Sequence, residues 1–215
     1  MKLFRKKEVW RPTIWGSLLL ILLFGVAGCV AVFGLYPFLA QTDPKPDARI
    51  IIIEGWLSDA ELQTISGRIS AGHLVVTTGG PIAYGGNLLK DKTYAEAADA
   101  RLRLLGLDPE KILCAPAPET QRDRTYVAAL AAREVLKQHG LLGKPCNIYS
   151  LGAHSRRSLY LYKLAFGADY PVGIIALESR EYDLRHWWRS SLAFKHVLSE
   201  LIAWIYILFS SCKYA

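Results

Sequence analysis

At 215 residues and a net charge of +7, the chain has room for one domain with a core of its own and short additions. Five cations and one acid within residues 1–12 carry +4 of that charge, and the +3 left for the remainder is too weak for a nucleic-acid binder. The four cysteines, at 29, 114, 146 and 212, have neither CxxC nor metal-ligand spacing, so no metal site and no disulfide framework is signalled.

Taken in chain order, MKLFRKKEVWRP (1–12) is a basic tail. No charge follows between Arg11 and Asp43, and residues 13–40 are long enough to cross a hydrocarbon layer that needs about 20 residues. The cations ahead of this segment place the N-terminus in the cytoplasm and everything after residue 41 outside it. Val26-Ala27-Gly28-Cys29 also fits a lipobox, in which Cys29 would carry lipid, but the run stays apolar beyond Cys29 and favours an uncleaved anchor.

QTDPKPD (41–47) is a polar, proline-bearing linker. The domain begins at residue 48 with RIIIIEG, a β-branched run typical of a strand covered on both faces. Ser58 and Glu61 have capping-box spacing and open a helix of about 13 residues. HLVVTTGG is the second strand; Thr93 and Glu96 repeat the capping box before a helix that stops at Gly106. KILCAP, CNIYSLG and VGIIAL supply three more strands, with helices over 123–140 and 156–166 between them. Cys114 and Cys146 fall in these strands as packing residues, although an oxidising compartment leaves a bridge between them open. Strands alternating with helices through short loops predict an open, three-layer α/β/α, Rossmann-like, doubly wound parallel sheet over residues 48–180, with CNIYSLG inside it. Residues 181–215 add a C-terminal helix packed on the domain. Its uninterrupted apolar run, Leu201–Phe209, is too short for a second span, and its exposed side suits either solvent or a membrane surface.

In such a sheet, ligands bind where the helices begin, at the carboxyl edge of the strands. Two helix starts there carry cations, Arg122 with Arg124 and Arg156 with Arg157. A cation at a helix N-terminus costs about 0.3–1 kcal/mol unless an anion is near. That anion is either a bound phosphate or a carboxylate such as Glu119, Asp123 or Glu178. The loop after the second strand holds Gly79, Gly80, Gly85 and Gly86, a backbone able to approach an anion closely. His154 has a pKa range suited to acid–base work, and Glu96 reads both as a helix cap and as a carboxylate at the same edge.

The order TTGG, TYAEAADARLRLLGLDPEKI, RTYVAALAAREVL and SLGAHSRRSLYLYKLAFG resembles the bacterial SanA, ElyC and YdcF family over roughly residues 49–180. The resemblance implies a strand ending in Thr78, Gly79 and Gly80, an early helical glutamate at Glu96, Thr125 at a helix start, and a His-x-x-Arg element at His154 and Arg157. The chain departs from that pattern at Ala128, where a polar residue is common, and at Glu54-Gly55, where a glycine pair is. It further implies a membrane-anchored envelope protein of the inner membrane, concerned with barrier integrity and with peptidoglycan or lipid-carrier metabolism. The resulting expectation is a domain with His154 and Glu96 as proton-moving groups. Thr78, Gly79, Gly80, Arg124, Thr125, Arg156 and Arg157 would hold an anionic small molecule or lipid-linked phosphate. Such a site would either hydrolyse or transfer its ligand, or merely sense it and regulate envelope proteins.

Overall fold

The computed structural model describes residues 10–82 and 92–210. Contacts divide the chain into one unit ending at Leu35 and another beginning at Tyr36. The first is essentially a single helix, α1 (Ile14–Leu39), whose last residues belong to the second unit. Its most apolar window has a mean hydropathy of 2.8 with none of it buried, and it is long and apolar enough to cross a membrane.

The second unit follows the expected alternation of strand and helix: β1 (Ile50–Glu54), α2 (Asp59–Ser66), β2 (Leu74–Gly79), α3 (Tyr94–Leu104), β3 (Ile112–Pro116), α4 (Arg124–Gln138), β4 (Cys146–Leu151), α5 (Ser155–Phe166), β5 (Val172–Leu177) and α6 (Ser191–Ser210). The strands form one all-parallel sheet in the order β3-β2-β1-β4-β5, so β4 lies inside it and the order switches between β1 and β4. Alternate residues of β1 feed opposite layers. Ile50 and Ile52 join Ala129, Leu136, Leu159 and Tyr162 from α4 and α5, whereas Ile51 and Ile53 join Leu62, Ile65 and Leu102 from α2 and α3. Burial on both faces explains the unbroken isoleucine run.

Three segments differ from the sequence expectation. Helix α2 has eight residues rather than about 13, because Gly67 caps it by donating its N–H to the carbonyl of Gln63. The stretch 41–47 is bound to the sheet: Asp43 bridges Ile174 on the edge strand β5, and Asn147 bonds both backbone groups of Lys45, at 2.7 and 2.9 Å. Gly173 permits this approach, since a Cβ there would lie 2.2 Å from Asn147 Oδ1 and 2.6 Å from the Lys45 nitrogen. The stretch thereby covers backbone groups that an open sheet edge would expose. Helix α6, finally, extends well beyond the apolar run 201–209 that was too short for a span: its 20 residues, with a window of mean hydropathy 1.6 that is 22% buried, are long and apolar enough to cross a membrane, while its main contacts are with α5 and the short turns 152–154 and 187–189. Lys195 points to the exposed side and Glu200 to the buried side, so neither charge interrupts the helix.

Candidate functional site

The strand order places the switch point between the carboxyl ends of β1 and β4, the usual crevice of a doubly wound sheet. Glu54 ends β1 and is 3% exposed. It shares the parity of Ile50 and Ile52, so it faces the α4–α5 layer. There Ser150 of β4 and Ser158 of α5 each donate a hydroxyl to it at 2.6 Å, one to Oε2 and the other to Oε1. Beyond β4 a single 3-10 turn (Gly152–His154) delivers His154, 5% exposed, against this carboxylate. His154 Nε2 lies 3.6 Å from Glu54 Oε1, an ion-pair distance too long for a hydrogen bond, and no protein atom bonds it among the described residues.

On the other side of the ring, His154 Nδ1 is 3.1 Å from Glu200 Oε1 on α6. Arg157 forks onto the same carboxylate, with Nε 2.8 Å from Oε2 and Nη2 3.1 Å from Oε1, and its Nη2 lies 2.8 Å from His154 Nδ1. Two cations therefore share Glu200. Burial alone would push the imidazole pKa down, but Glu54 and then Glu200 outweigh both burial and Arg157 and raise it to about 9. The raised pKa favours the charged ring at neutral pH, with Nδ1 at ion-pair distance from Glu200 and directly beside the Arg157 guanidinium. Burial opposes ionisation of both carboxyls. The charge of His154, with the serine hydroxyls on Glu54 and the Arg157 fork on Glu200, nevertheless holds both below the usual carboxylate range.

Trp56 stands edge-on over His154, with ring centroids 5.2 Å apart at 86°. Its loop is fastened by Arg101 of α3, whose guanidinium donates to the carbonyls of Gly55 (2.9 Å) and Leu57 (3.1 Å) on either side of it.

The two arginines at the start of α5 are thus both engaged. Arg157 takes Glu200 as its anion, and Arg156 donates to the carbonyl of Phe38 and lies 4.0 Å over the Phe38 ring. Ser155 also bonds the Leu39 carbonyl, at 3.3 Å. Glu178 is taken by Arg185 instead.

The remaining sequence-predicted residues lie at the β2–β3 side of the edge. Glu96 is a helix cap: its carboxylate accepts the backbone N–H of Thr93 (2.8 Å) and of Lys92 (2.9 Å) and the Thr93 hydroxyl, bonds that lower its pKa. His154 has Glu54 and Glu200 as carboxylate neighbours, a pair in which Glu96 takes no part. Thr78 is buried and donates to the carbonyl of Ala128 at 2.8 Å, so the position that departs from the family pattern contributes through its backbone. Gly79 serves packing, since a Cβ there would meet Tyr94 Cβ at 2.7 Å. Gly80 accepts the Tyr94 N–H at its carbonyl, a Cβ there would make only ordinary contacts, 3.6 Å from the Pro118 carbonyl oxygen, and Gly85 and Gly86 lie outside the described residues. Arg124 and Thr125 open α4, which packs beside α5; Arg124 is exposed and has no ion pair among the described residues. A cavity of about 430 Å³ lies beyond β5, lined by Glu178, Arg180, Asp183 and Arg185 among others; it holds none of the predicted site residues, and Glu178 and Asp183 are paired with Arg185 and His186.

No family model, no curated protein and no solved structure matches the chain. The chain combines a parallel α/β domain with a preceding helix long and apolar enough to cross a membrane, and His154 lies between two carboxylates at the switch point of the sheet.

Sequence reasoning singled out His154 and Arg157 but missed Glu54, Ser150, Ser158 and Glu200. One signal was present: a glutamate ending an all-isoleucine strand needs buried partners, because an unpaired carboxylate there would be costly.

Proposed function

We propose that the chain is a single-pass envelope protein of the bacterial inner membrane, with its basic N-terminus in the cytoplasm and its α/β domain outside. The domain binds a phosphate-bearing ligand at the carboxyl edge of the sheet, and His154 donates a proton to it in hydrolysis or transfer. The observation that carries this reading is His154 itself, placed at the switch point with its pKa raised and its Nε2 without a hydrogen-bond partner among the described residues, in the position of a general acid. The family resemblance supplies the envelope setting. An anchor at residues 13–40 favours a substrate at the membrane surface, of which a polyprenyl phosphate or pyrophosphate is the fitting class. Arg157 and Arg156 being engaged, Arg122 and Arg124 at the neighbouring helix start are the cations that face solvent, and Gly80 and Thr125 lie at the same edge.

A second reading, a sensing module without turnover, draws on the burial of His154 and on Glu200, which already fills the Arg157 fork. Full-length protein in lipid nanodiscs, incubated with polyprenyl phosphate, polyprenyl pyrophosphate and nucleotides, separates the two. Turnover that disappears in His154→Gln and survives in Glu96→Gln supports proton donation by His154. Thermal stabilisation without turnover, lost in Arg124→Ala, supports sensing. Absence of any response to all three ligand classes overturns both.

A further inference from the structure

We propose that the C-terminal half of α6, residues 201–210, is a second lipid-contacting surface, bedded in the bilayer where the chain leaves α1. The proposal rests on the reading of α1 as a membrane span. Helix α6 buries one stripe, Ala193, Val197, Glu200 and Ile207, at helical spacing. The opposite stripe changes character along its length. In the first half the exposed Leu192 and Phe194 are broken up by the exposed Lys195 and Ser199, whereas in the second Ile202, Tyr206 and Phe209 are 67%, 53% and 84% exposed with no charge among them. After Glu200, ten residues (LIAWIYILFS) carry no charge. Fully burying a side chain such as Ile or Phe is worth about 1.5–3 kcal/mol, so a run of them turned outward calls for a covering phase.

Two contacts on the domain point to lipid as that phase. The Arg156 guanidinium lies 4.0 Å over the ring of Phe38, the penultimate residue of α1, and 6.0 Å from the ring of Trp204 on α6. Trp204 also packs edge-on against Tyr160, with centroids 5.5 Å apart. The apolar half of α6 therefore starts one side chain away from the end of α1, the level at which a span returns to water. Trp204 and Tyr206 are of the residue types that favour that level. At 1.5 Å per residue, residues 201–210 are about 15 Å long, half of a hydrocarbon layer of about 30 Å, so this half-helix enters or lies in the surface without crossing. The first half, which carries the charges, keeps Lys195 in water, and Glu200, at the boundary, stays joined to Arg157 and His154.

The test uses the full chain in phosphatidylcholine–phosphatidylglycerol vesicles, with a photo-crosslinking benzophenone residue placed singly at positions 202, 206, 209, 195 and 24. Position 24, within α1, must yield lipid adducts if the span is real; its failure would strike the anchor and not α6. Lipid adducts at 202, 206 and 209, at least tenfold more abundant than at 195, are the expected result. Adducts at 206 and 209 to a second copy of the chain, or no adduct at these positions while 24 labels, overturn the proposal. Equal lipid labelling at 195 and 206 also overturns it, because the whole helix would then be submerged.

Discussion

The two sides of the sheet's carboxyl edge are built on different principles. At the β2–β3 side the one predicted carboxylate, Glu96, answers a need three residues away by capping its own helix, and the longer reach there is a neutral one, from the Thr78 hydroxyl to the Ala128 carbonyl. At the β1–β4 side, Glu54 is satisfied by residues 96 and 104 positions distant, and Glu200 reaches Arg157 across 43. A local polar motif is content with itself and leaves the surface near it for solvent or ligand. A network assembled over long sequence distances holds charge where water cannot follow, and such groups have displaced pKa values and chemical potential to use.

The largest expected difference between the two sides is in stability. Removing one partner of a buried ion pair costs about 3–5 kcal/mol because the other charge is left uncompensated. Glu54→Ala should cost that much in denaturant unfolding of the full chain in detergent, with Glu54→Gln, which keeps the hydrogen-bonding shape, costing less. Equal stability of Glu54→Ala and parent would mean that His154 is not paired there.

Next comes pH. The folded pKa of His154 is raised, from 6.5 to about 9. Its contribution is therefore complete below 6.5 and lost as pH rises through about 9, a change on the order of 3 kcal/mol. Glu54 and Glu200 are lowered from 4.5, so their contribution is complete above 4.5 and lost as pH falls through their folded values. The cluster is thus most stabilising between 4.5 and 6.5. Unfolding midpoints measured from pH 4 to 10 should fall above 6.5, and His154→Gln should flatten that limb. A parent profile level from 6.5 to 9.5 would refute the charged imidazole.

Glycines sharpen the comparison further. A Cβ at Gly55 would stand 2.2 Å from the Tyr94 carbonyl oxygen, whereas at Gly80 its nearest neighbour would be 3.6 Å away. Overpacking of this kind costs about 1–3 kcal/mol, so Gly55→Ala should lower the melting temperature by several degrees and Gly80→Ala should leave it nearly unchanged. The smallest effect belongs to Glu96→Ala, about 1 kcal/mol as for loss of a helix cap, with the His154 titration followed by NMR unmoved. A His154 pKa that shifts in Glu96→Ala would join the two sides into one site.

Much of the architecture was legible in the residues. The two capping boxes and the glycines that end helices are each satisfied within one element, and the unbroken Ile50–Ile53 run itself signals burial on both faces, so local pattern was enough to read the strands and place β4 inside the sheet. The His154–Arg157 element was legible as well, but its meaning was not. Its anion was sought among nearby acids and in a ligand, while Glu200 looked like an interruption of an apolar run.

By itself, then, the sequence determined the parallel α/β domain, the apolar helix ahead of it and the presence of a histidine and arginines at a helix start, since hydrophobic periodicity and capping act over a few residues. Only the tertiary structure decided what those arginines meet. Glu54, Glu200 and Phe38 approach the start of α5 from three separate elements. The charge state of a buried group depends on distances to other charges in space, a quantity that sequence spacing does not contain.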